Sequence, residues 1–163
     1  MAVADLVILE QDHVRFMATL ERLRQDANAR FTFLLDKNGQ QIAAAGDMEG
    51  LDPTSLASLT AGNVAATDGL AKLIGEREFS ILFHEGERDN LHINVIGGTV
   101  ILVVLFDERS SLGLVRLRVK KASTELGAVV EEIVLRAESR RASALGGSPF
   151  AEITDDDIDA LFS

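Results

Sequence analysis

The chain has 163 residues, 47% of them hydrophobic, which suits one domain with a proper core and is short for two. A formal net charge of −10 argues against a nucleic-acid partner, and the absence of cysteine removes disulfides, thiolate metal sites and cysteine nucleophiles. Acids and His13 interrupt any leader-like apolar stretch, and no apolar run approaches the roughly 20 residues of a membrane span, so a cytoplasmic protein without membrane insertion is expected.

From Glu10 to Asn28 the positions His13/Val14, Phe16/Met17, Leu20, Leu23 and Ala27 recur at three and four, predicting an amphipathic helix. Arg30 to Asp36 and Gln41 to Ala45 are short apolar runs flanking Lys37-Asn38-Gly39. Asn-Gly favours a tight primed turn, so the two runs are predicted to pair as a hairpin. A second helix is predicted from Pro53, capped by Asp52, to near Gly75. Three β-like runs follow, Ser80 to Glu85, Leu91 to Ile96 and Thr99 to Phe106, the last two joined by Gly97-Gly98 as a second hairpin. Ser110 or Ser111 then caps a third helix whose apolar stripe is Val115, Val119, Ala122, Leu126, Val129/Val130, Ile133 and Ala137; it is expected to fade near Ser139. The order α-β-β-α-β-β-β-α predicts an α+β sandwich with a five-stranded antiparallel sheet. Residues 1–138 are read as the domain, 139–149 as a flexible linker and 150–163 as an acidic C-terminal interaction segment.

The motifs of chemistry are missing. No GxxxxGK loop is present, so the chain is not itself a P-loop GTPase, and there is no nucleophile elbow or calcium-loop spacing. His84 and His92 fall on neighbouring strands and could approach each other, although isolated strand histidines are commonly surface or core residues; His13 stands alone. Asp36, Asp107 and Glu108 sit at strand ends, where a polar exit from the sheet is the simpler explanation. No catalytic residue, metal site or cofactor is expected.

Two elements remain unusual. The second helix is read as a core stripe of Leu56, Leu59, Asn63, Ala66, Leu70 and Leu73 opposite a face of Ser58, Gly62, Ala65, Gly69 and Lys72. Each interior glycine lowers helix stability by about 1 kcal/mol relative to alanine, so two on one face suggest close approach by another backbone, within the fold, from a dimer mate or from a different protein. The C-terminal segment carries Glu152, Asp155, Asp156, Asp157 and Asp159 with no Lys or Arg after Arg141, yet places Ile158, Leu161 and Phe162 on one side of a short helix capped by Thr154. This is the pattern of a helix-in-groove recognition peptide.

The run from Thr54 to Glu76 resembles the MglB family of roadblock-domain proteins, partners of the Ras-like GTPase MglA. The resemblance extends through Phe83-His84-Glu85-Gly86, Val103 to Asp107, Ser111 to Ser123 and Ser148 to Phe162, and is weakest before residue 10 and over Arg136 to Gly146. It implies a roadblock-type sandwich and a homodimer built by edge pairing of the middle strands with second helices side by side. It also implies a GTPase-activating role in which two copies grip one GTPase, stabilise its switch loops without an arginine finger and leave GTP and Mg²⁺ to the partner. A role in cell polarity or motility and concentration at a cell pole follow from the same resemblance. The partner-binding residues it implies are Ala61, Gly62, Ala65, Gly69, Lys72, Leu73 and Lys121, with Phe150, Ile153, Ile158, Leu161 and Phe162 contacting the GTPase at a second surface. Residue reasoning alone leaves a donated arginine open, since Arg15, Arg22, Arg116 and Arg118 fall on helix faces expected to be exposed. It also leaves open a scaffold that binds the GTPase without altering turnover, and a small-molecule sensor.

Overall fold

The computed structural model of the chain describes residues 6–146. The elements are α1 (Glu10–Asp26), β1 (Phe31–Asp36), β2 (Gln41–Gly46), α2 (Pro53–Leu73), β3 (Ile81–Glu85), β4 (Asn90–Ile96), β5 (Val100–Phe106) and α3 (Leu112–Gly146). The strands form one five-stranded antiparallel sheet in the order β2-β1-β5-β4-β3, the α+β roadblock-type architecture expected.

β1 and β5 are buried throughout, because helices cover both faces of the sheet. On one face, α1 and α3 bring Phe16, Leu20, Val119, Leu126 and Ile133 against Leu34, Leu102, Val104 and Phe106. On the other, α2 lies alone over Phe31, Phe33, Leu35, Ile93, Ile101 and Val103. Every member of the apolar stripe predicted for α3 is buried, as helical periodicity requires.

Three local expectations change. The β1–β2 connection is a three-residue turn rather than a primed two-residue one: Gly39 alone has positive φ (+87°), and the Asp36 carboxylate accepts the N–H groups of Asn38 at 2.9 Å and Gln40 at 3.0 Å. Asp36 therefore closes the turn instead of marking a polar exit. By contrast Gly97 and Gly98 both adopt positive φ, as a primed turn needs. The third change concerns α3, which does not fade near Ser139 but runs to Gly146, into the stretch read as a linker. Ala, Arg, Leu and Glu are strong helix formers, and they extend the helix where the apolar stripe has ended. Residues 147–163, with the rest of that linker and the acidic segment, lie outside the described residues.

Candidate protein interaction site

α2 begins where the sequence places it. The Asp52 carboxylate accepts the Thr54 N–H at 3.1 Å, and Pro53 occupies the first turn, where no helical donor is lost. The face of Ser58, Gly62, Ala65, Gly69 and Lys72 is exposed as expected, but the helix is rotated so that most of the stripe expected in the core is exposed beside it. The buried residues are Ala57, Thr60, Ala61, Val64 and Ala71, whereas Leu59 is 74% and Leu73 83% exposed, with Ala66 and Leu70 exposed beside them. The sheet beneath already supplies Phe31, Phe33, Leu35 and Ile101, so mostly small side chains fit between it and the helix, with Leu56 packed at the margin. Of the leucines expected in the core, only Leu56 keeps that contact, while Leu59, Leu70 and Leu73 point outward with Gly62 and Gly69. Ala61 is turned inward by the same rotation, 8% exposed and packed on the sheet.

The outward face is thus a strip of leucine and bare backbone. A Cβ at Gly62 or Gly69 would meet nothing within 4 Å, so packing inside this chain does not require either glycine. At Gly39 the reverse holds, since a Cβ would stand 3.2 Å from the Ser58 backbone. A helix that gives up about 1 kcal/mol per glycine without internal contact leaves room for an approach from outside. Contiguous exposed apolar surface of this kind marks an association site.

Next to the strip lies a sheet edge. β3 pairs with β4 on one side only, and Ile81 is exposed on it. Asn63, expected to interrupt a core stripe, reaches from α2 to His84 of β3, with Asn63 Nδ2 and His84 Nε2 3.0 Å apart. On the other flank Lys37 and Asp68 pair at 3.7 Å. Gly62, Ala65, Gly69, Lys72 and Leu73 are all exposed on α2, so the fold brings five of the expected partner residues onto one helix.

Lys121 is not with them. It lies on α3 beside Thr19 and Arg22 of α1, across the sheet from α2, so one chain cannot present both to one surface. Arg15, Arg22, Arg116 and Arg118 occupy that same far layer; Arg15 pairs with Glu132, and Arg22 with Glu125 at 2.8 Å. Arg77, exposed just beyond the end of α2, is the arginine that helix-face reasoning overlooked. The β3–β4 register sets Phe83 opposite His92 and His84 opposite Leu91, so the two histidines face opposite sides of the sheet and do not converge. Among the described residues no three His, Cys, Asp or Glu side chains cluster as a metal would need, and no helix is long and apolar enough to cross a membrane. Phe150, Ile153, Ile158, Leu161 and Phe162 lie outside the described residues.

A helix-covered antiparallel sheet with the edge of β3 unpaired and one helix bare on its outer side defines an association module of the roadblock type. The Roadblock/LC7 domain model matches residues 16–106. MglB of Myxococcus xanthus is 57% identical, with a TM-score of 0.75 over 78% of this chain and 96% of that one. The gliding protein MglB of Thermus thermophilus is 37% identical, with a TM-score of 0.72 over the same shares, 78% and 96%. A structure described as MglB with a tetrameric arrangement is 35% identical, with a TM-score of 0.73. Among curated proteins nothing matches. The chain belongs to the MglB branch of the Roadblock/LC7 family.

Proposed function

We propose that this chain is a homodimeric regulator of a small Ras-like GTPase of the MglA type, accelerating GTP hydrolysis by holding the switch loops rather than by chemistry of its own. The observation that supports this most is the outward face of α2, where Leu59, Gly62, Ala66, Gly69, Leu70 and Leu73 form an apolar strip that the single chain leaves uncovered. In a dimer the open edge of β3 pairs with its copy and brings two such helices side by side. The GTPase then sits across the helix pair, two copies of this chain to one partner, and GTP and Mg²⁺ belong to the partner. The layer opposite α2 holds Arg15, Arg22, Arg116 and Arg118, which favours activation without an arginine finger from those four. The segment 150–162 engages the GTPase at a second surface. The cellular role is control of polarity or motility, with the protein cytoplasmic and gathered at a pole.

Single-turnover hydrolysis by an MglA-type GTPase, with and without the chain, tests this. Acceleration is expected, and Gly69→Arg abolishes it while sedimentation shows the same oligomer. Binding with unchanged hydrolysis would replace the activator with a scaffold. Arg77→Ala retains activity; its loss with binding intact would reinstate a finger, which contributes about 10³ to 10⁵ in rate where one is used.

A further inference from the structure

α1 and α3 run antiparallel, with Asp12 paired to Arg136, Arg15 to Glu132 and Arg22 to Glu125. In that register the last turns of α3 continue past the start of α1 and lie alongside the segment that leads into it. Between them is a groove of about 220 Å³ lined by Val7, Leu9, Arg136, Ser139 and Arg140. Its apolar side is open, Val7 being 45% and Leu9 41% exposed, and no carboxylate lines it. Arg136 donates through Nη2 to Asp12, but its Nη1 is buried without an acceptor. The groove is therefore matched to an occupant that is apolar and anionic together.

We propose that this groove receives the acidic C-terminal segment of the same chain, with its apolar anchors against Val7 and Leu9 and its carboxylates toward Arg136 and Arg140. The composition fits: Phe150, Ile153, Ile158, Leu161 and Phe162 alternate with Glu152, Asp155, Asp156, Asp157 and Asp159, and no Lys or Arg follows Arg141. The reach fits as well. α3 ends at Gly146, which lies about 9 Å along the helix from Arg140. The four residues from there to Phe150 span up to about 14 Å when extended, so the first anchor already reaches back to the groove. A tether this short gives an effective concentration on the order of millimolar, so a groove of millimolar affinity is about half filled. Docking needs no second protein. Its consequence, that the segment is withheld from a GTPase until the groove releases it, rests on the function proposed above.

The chain has no cysteine, so Ser163→Cys in the full-length protein carries one nitroxide. Amide signals of Val7, Leu9, Ser139 and Arg140 are expected to broaden selectively. Arg140→Glu, at an exposed site, reduces affinity about tenfold and the broadening about fivefold, from half to a tenth occupied. High salt acts in the same direction. Leu9→Asp is the second variant and has the same expected effect. Broadening that survives both variants reports tethering alone and overturns the proposal. So does broadening centred on α2. Equal broadening when labelled tails are mixed with unlabelled, ¹⁵N-enriched chains makes a second copy the occupant and overturns docking within one chain. None of these outcomes depends on a GTPase, so the proposed function stands or falls separately.

Discussion

His92 supplies the sharpest test of how the far layer is held together. It lies on β4 beneath α3, 1% exposed, and neither ring nitrogen has a hydrogen-bond partner among the described residues. Burial pushes its pKa below the ordinary value of 6.5, and the nearby Arg116 guanidinium pushes in the same direction. The folded chain therefore binds this proton less readily than the unfolded chain. Stability from the neutral ring is fully present above about pH 6.5 and declines as pH falls toward the folded pKa, by up to about 1.4 kcal/mol per pH unit. His92→Leu removes both the titration and the unpartnered nitrogens, whose desolvation costs about 1–3 kcal/mol each. Urea denaturation from about pH 7.5 to 5 should show the wild type losing stability while the leucine variant stays flat and is at least as stable at the upper end. The carboxyls of Glu21, Asp52 and Asp107 are held low by hydrogen bonds from Arg24, Ser55 and Arg109, and so titrate beneath this window. Arg116→Gln should shrink the acid loss by letting the ring protonate more easily. Parallel pH profiles for wild type and His92→Leu would refute the reasoning.

Other substitutions test the remaining layers. Arg136→Leu strands the Asp12 carboxylate, whose side chain is 2% exposed, and should destabilise by about 3 kcal/mol in denaturant titration; adding Asp12→Asn should restore most of it. Gly46→Ala drives a Cβ into the Arg30 carbonyl at a φ of +102°, so a loss of about 3 kcal/mol or more is expected by thermal melting. Gly62→Ala and Gly69→Ala fill open space on a helix and should each stabilise the single chain by about 1 kcal/mol in dilute urea titrations. The same two changes should weaken GTPase activation in turnover assays; unchanged activation would remove the outer face of α2 from the GTPase interface.

Much of the fold was legible because its signals were local. Asp52-Pro53 marks a helix start, Gly97-Gly98 marks a hairpin, and the stripe from Val115 to Ala137 keeps one period over a long helix. α2 was legible as a helix but not in its rotation. Core and interface stripes have the same period, and periodicity alone places Leu59, Leu70 and Leu73 inward because leucine is usually buried. What decides the rotation is the sheet, whose phenylalanines and isoleucines pack against Ala57, Ala61 and Val64. That information is non-local. Lys121 fails to join the α2 residues for a similar reason: which side of a sheet a helix covers is not written in the helix. The last turns of α3 are written in helix propensity rather than in an apolar stripe, which ends at Ala137.

The inward side of α2 has a dynamic consequence. Four of its five buried residues, Ala57, Thr60, Ala61 and Ala71, bring little apolar area, and Val64 is the largest aliphatic among them. This layer is therefore fastened more lightly than α1 and α3, which set Phe16, Leu126 and Ile133 into the other face. Local opening follows where buried apolar contact is sparse. Amide exchange along α2 in the isolated chain then outpaces that of the central strands, and its slowing on assembly reports how much of the helix's order comes from whatever covers its leucines.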